Sequence, residues 1–223
     1  MQTSLNNTMA TTHDDSEQFD DTEQQGGIAW RETALIIVSL IAIAALAMLW
    51  INRLPAEGSS EVVFARDMIA HHEQAVEMAA YLNQRLDTDE GMRLFTFDMM
   101  ISQKGQIGQM QGWLQAWGHP LASGEPPMQG MGEHMGMASR EQVQALETLP
   151  IEEAEIQFLQ LMIRHHQGGV YMAEDVLEQT KRPEVVQLAQ ASIAAQESEI
   201  KYMTELLAKR NAEPLPPLPR MKH

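Results

Sequence analysis

The 223-residue sequence contains no cysteine. Disulfides and thiolate metal sites are therefore excluded, and any metal must be held by His, Met, carboxylate or carbonyl donors. Basic residues are scarce as well: 15 Lys and Arg stand against 31 Asp and Glu, a formal net charge of −16. A nucleic-acid binder needs a basic footprint, so that class of partner is excluded too. Part of the acidity is local, because Asp14, Asp15, Glu17, Asp20, Asp21 and Glu23 fall in a stretch without Lys or Arg. Such a stretch cannot bury enough apolar surface to fold, and residues 1–29 are expected to form a disordered acidic tail. No Ser-His-Asp order, phosphate-binding Gly loop or pair of catalytic carboxylates stands out. The remainder, with 44% hydrophobic and 21% charged residues over the whole chain, has an ordinary globular composition.

What is present begins with an apolar run from Thr33 to Ile51, broken only by Thr33 and Ser39. As a helix it spans about 28 Å, close to the core of a bilayer. Trp30 and Trp50 lie at its ends, where interfacial aromatics belong. A signal peptide would have a shorter apolar region behind a basic start, whereas the preceding tail is acidic and long. Residues 30–52 are therefore expected to be a single retained transmembrane anchor. Arg31 on one side and Arg53 and Arg66 on the other give too little bias to orient it.

Beyond a short linker with Pro55 and Gly58, one stretch occurs twice. Phe64, Met68, His71, Ala75, Met78 and Leu82 step by four and three residues, which is one face of a helix. Phe158, Met162, His165, Gly169, Met172 and Val176 repeat those steps 94 residues later. A following helix repeats also: Gln103, Ile107, Met110 and Leu114 match Gln196, Ile200, Met203 and Leu207 at a spacing of 93. The duplicated unit is thus a helix pair. The helices are expected at about 61–86, 89–117, 151–180 and 183–211, and the domain at 61–211. Two such pairs with short internal turns predict an all-α, four-helix bundle. Between them, loop 118–140 carries Met128, Met131, His134, Met135 and Met137 among Gly and Pro. It shows neither a helical nor a strand period, and its glycines suggest mobility. It is read either as a loose trap for soft metal or as low-complexity filler. Residues 212–223 read as an extended Pro-rich tail.

The chemistry lies in Met68, His71, His72 and Met78, and in Met162, His165, His166 and Met172. Neutral imidazole with thioether sulfur suits copper, and Cu(I) above all. Adjacent residues of a helix point about 100° apart, so one His of each pair faces inward while the other caps the site or lies at an interface. The bland alternative makes the methionines gap-fillers and the histidines satisfied core groups. That alternative suits Met99, Met110 and Met203, but not two histidine pairs with the same Met flanks. Gly168 and Gly169 inside a helix cost roughly 2 kcal/mol relative to Ala, so a close approach there is expected to offset them. A carboxylate-bridged di-iron site needs Glu-x-x-His, and Met68 stands where that Glu would be.

The Met-Ile-x-His-His pattern of the odd helices, with Gln-x-x-x-Ile-x-x-Met on the even ones, resembles the domain of unknown function 305 family, CopM-like proteins included. The likeness covers about Glu61 to Arg210. It implies a ferritin-like four-helix bundle, export or membrane anchoring, and copper and silver binding linked to tolerance. The resulting expectation is a bacterial inner-membrane protein that binds Cu(I), and silver in its place, and is not an enzyme. Its tail would be cytoplasmic and its bundle would face the periplasm or exterior, with copper-donor or acceptor proteins as partners. The rival readings are a metal-free structural or interaction bundle and a metal-dependent redox enzyme.

Overall fold

Backbone spacing and capping account for where the helices begin and end. The computed structural model describes residues 22–51, 53–122, 124 and 126–220, and all regular structure among them is helical. Helices α1 (Thr22–Ile51), α2 (Ser60–Gln84), α3 (Glu90–Ala116), α4 (Arg140–Thr148), α5 (Ile151–Gln179) and α6 (Pro183–Lys209) follow in order. Asp89 caps α3 by accepting from the N–H groups of Gly91 at 2.8 Å and Met92 at 3.3 Å. Pro183 opens α6 at a position where a missing N–H costs nothing.

Two compact units divide the chain, Met1–Arg53 and Leu54–His223. In the first, α1 opens at Thr22 rather than at Trp30. The stretch Trp30–Leu49 is long and apolar enough to cross a membrane, and its large apolar side chains are exposed within the unit. The expected acidic tail lies, up to residue 21, outside the described residues.

In the second unit α2 packs along α3, α5 along α6, and α2 and α5 meet directly. This is the expected four-helix bundle. One helix was not expected. The short α4 starts at a capping box, in which Ser139 and Gln142 satisfy each other's backbone donors. Only Val143 and Leu146 of it are buried, too few positions to display a period.

Loop 118–140 also departs from the expectation of a loose segment. It winds through two 3-10 turns, Pro127–Gly130 and Gly132–Met135, and is seated on the bundle. The Gln74 side-chain amide brackets Ala138, donating to its carbonyl at 2.9 Å and accepting from its N–H at 2.8 Å. The Pro-rich tail is extended but docked: Leu218 is buried, and its N–H donates to Gln167 Oε1 at 2.8 Å. Residues 221–223 lie outside the described residues.

Candidate metal centre

A polar layer crosses the middle of the bundle between two apolar clusters. One cluster holds Met68 and Met172 with Phe64, Met110 and Leu114; the other holds Met78 and Met162 with Phe158, Met99 and Met203. This pairing follows from α2 and α5 running antiparallel. The start of one repeated face meets the end of the other, so each side of the layer receives one methionine from each helix.

Four histidines fill the layer, none more than 1% exposed. The rings of His71 and His165 stack with centroids 3.7 Å apart and planes 29° from parallel. His72 and His166 turn away, each 6.3 Å from its neighbour's ring. The inward member of each pair is thus His71 or His165, and the outer member reaches the partner helix. His72 Nε2 meets Gln106 Oε1 on α3 at 2.7 Å, and His166 Nε2 meets Glu199 Oε2 on α6 at 2.5 Å.

These oxygens decide which nitrogen carries the proton. The Met135 carbonyl, 3.0 Å from His71 Nε2, can only accept, so Nε2–H donates to it. The Glu199 carboxylate requires the same of His166, and Gln106 Oε1 the same of His72. In all three rings the lone pair is left on Nδ1. Those Nδ1 atoms are buried without a partner, as are both ring nitrogens of His165. A dry, unpaired acceptor costs roughly 1–3 kcal/mol, which a bound ion would offset. Burial, with the neighbouring imidazoles, pushes His71 down to about 3, His72 down to about 4 and His165 well below the ordinary value. Neutral imidazole is the ligating form. Among the described residues no three His, Asp or Glu side chains are set to hold a metal by themselves. The unpartnered imidazole nitrogens and the methionines of the flanking clusters are together a donor set that suits a soft ion.

Glycines bring the walls close. A Cβ on Gly168 would lie 1.8 Å from the Met135 carbonyl oxygen, and one on Gly169 would lie 2.2 Å from Gln196 Oε1. The close approach expected at these two glycines is thus made by a backbone carbonyl at Gly168 and by the Gln196 side chain at Gly169. Gly168 admits the carbonyl that orients His71.

All eight ligand candidates face this layer or the clusters bounding it. The sequence reading missed Gln106, Glu199, Ser192 and the Met135 carbonyl. Ser192 donates to Gln106 Oε1 at 3.0 Å. A signal was available for two of them, because Gln106 and Glu199 each stand three residues beyond the repeated Gln103 and Gln196. The Met135 carbonyl has no side-chain signature.

These features define a four-helix bundle with a buried histidine core. The chain belongs to the DUF305 family, whose domain of unknown function it matches over residues 61–207. A DUF305 protein of Streptomyces coelicolor, inferred to be secreted, is 44% identical, with 72% of this chain and 99% of that one covered and a TM-score of 0.66. A DUF305 fragment from Deinococcus radiodurans is 40% identical, with 67% and 96% covered and a TM-score of 0.61. CopM in its Cu(I)-bound form is 26% identical, with 67% and 96% covered and a TM-score of 0.56. CopM has also been solved with Cu(II) and with silver. No curated protein matches the chain.

Proposed function

We propose that this protein is anchored to the bacterial inner membrane by α1 and binds Cu(I), with Ag(I) as a substitute, in the histidine core. The ion is cargo to be sequestered or handed on. One observation carries the reading: the stacked His71–His165 pair, with unpartnered imidazole nitrogens, lies between two clusters that each hold two methionines of the repeated faces. A purely structural core would pair those nitrogens, since buried polar groups are normally satisfied. Met68, Met78, Met162 and Met172 supply the sulfur, and His72 and His166, held to α3 and α6 through Nε2, offer their unpartnered Nδ1 atoms as further donors. The copper- and silver-bound forms of CopM support the choice of ion, and the match to family members rather than to an enzyme supports binding over catalysis.

The test uses the full chain in detergent, titrated with Cu(I) against a competing chelator and then assayed for oxidase activity. The unmutated protein is expected to compete, and the His71→Ala/His165→Ala variant to lose most of the thermal stabilisation metal confers. That gain amounts to about 2.7 kcal/mol when free metal is 100 times Kd. Failure of the unmutated protein to compete at any ratio would favour the metal-free structural bundle. For orientation, the bundle is placed in the periplasm or outside the cell, with the tail before Trp30 in the cytoplasm. The secretion inferred for the Streptomyces relative supports this. Protease added to spheroplasts should remove the bundle and spare the tail; a protected bundle reverses the assignment.

A further inference from the structure

Beside the histidine layer lies a groove of 570 Å³. Met128, Met131, Met135 and Met172 line it, together with Asp67 and Arg66. The first three methionines are half-buried and hence within reach of solvent, while Met172 is 9% exposed. Met172 also belongs to the apolar cluster under the histidines, so one side chain borders both groove and core. Met135 makes a second link. The residue lines the groove and packs on the same apolar cluster, and its carbonyl accepts from His71 Nε2–H at 3.0 Å.

The groove wall is fixed to the helices that carry the stacked histidines. The Asp67 carboxylate accepts from the Met128 N–H at 2.9 Å, Gln74 brackets Ala138, and Gly168 lets the Met135 backbone approach α5. Gap-filling methionines would close such a space, yet these border an open one. Thioethers are soft, uncharged donors that select a soft ion such as Cu(I) or Ag(I). Hard divalent ions want six or more oxygens, and of the two carboxylates in the wall Glu57 is paired with the Arg66 guanidinium and Asp67 already accepts from the Met128 N–H.

We propose that this groove is a loading site for Cu(I) or Ag(I), from which the ion passes along Met135 and Met172 to His71 and His165. The transfer is ligand exchange without change of oxidation state. Its destination rests on the function proposed above; binding in the groove does not. The experiment follows the full chain in detergent, labelled with ¹³C at the methionine methyls, as Ag(I) is added, and times delivery of the ion to the core by stopped flow. The Met128 and Met131 signals are expected to shift at the lowest Ag(I), before those of the core. The volume-conserving Met128→Leu/Met131→Leu variant should keep the core affinity and load it roughly tenfold or more slowly, because a tethered ion acts at high effective concentration. In the His71→Ala/His165→Ala variant the groove signals should still shift. Unmoved groove methyls at saturating Ag(I), or unchanged loading in the leucine variant, would overturn the proposal and leave the core reading standing. Groove shifts with no core response would instead sink the core and keep the groove.

Discussion

Positions 72 and 166, matched by the 94-residue spacing, are held by different chemistry. His72 donates to an amide, Gln106, whereas His166 donates to a carboxylate, Glu199. The same contrast holds at the loop. Position 74 is a glutamine that grips Ala138 through two hydrogen bonds, and its counterpart Gly168 has no side chain and lets the Met135 carbonyl in. The geometry of the layer is matched between the helix pairs, but its electrostatics are not. A matched pair of histidines can therefore hold one ion unequally, with the carboxylate-backed ring the better donor.

The strongest way to disturb both halves together is acid. His71 and His72 sit at about 3 and about 4 through burial, and His165 is held well below the ordinary value. In the unfolded chain each would titrate near 6.5. The unfolded state therefore takes up protons first as pH falls, and this favours unfolding. The stability of the metal-free protein is complete above about pH 6.5 and is lost progressively toward the folded-state values. Between about pH 7.5 and about pH 5 His71 and His72 each contribute a loss of about 2 kcal/mol, and His165 adds a loss of the same sign. Melting the apo protein across that range measures it. A flat profile would mean that the rings are solvated and the layer is not closed.

How much of this was readable in the chain depends on the kind of residue. His71, His72, His165 and His166 announced themselves because an adjacent pair recurs 94 residues on, each time on a 3.6-residue period. The four-helix architecture followed from the repeated apolar faces. The pairing of Met68 with Met172 was not legible, since two helices of matched pattern can run parallel or antiparallel. Helix α4 escaped because only Val143 and Leu146 mark its face. The seating of loop 118–140 depends on a backbone carbonyl, on Gly168 and on Gln74, none of which carries a period. Gln106 and Glu199 were present as a matched pair, but only the contact with each histidine gives them a role.

The smaller and more discriminating test exchanges the acceptors. Glu199 can only accept, so it holds His166 in the Nε2–H form and makes Nδ1 a stronger donor through its negative charge. Glu199→Gln keeps an oxygen in reach and removes the charge, making the second half resemble the first. Metal affinity, measured by Cu(I) competition, should fall by about 10- to 100-fold, the usual scale for losing a partner of this kind. Gln106→Glu gives the first half the same carboxylate. Its oxygens can take both the His72 Nε2–H and the Ser192 hydroxyl, which now share Gln106 Oε1, so affinity should rise. The double exchange should return close to the unmutated value, because the charge has moved from one half to the other. Apo melting temperatures separate the readings. If Glu199→Gln lowers the melting temperature and leaves affinity alone, Glu199 is a structural partner of a buried histidine, and the inequality of the halves has no bearing on metal.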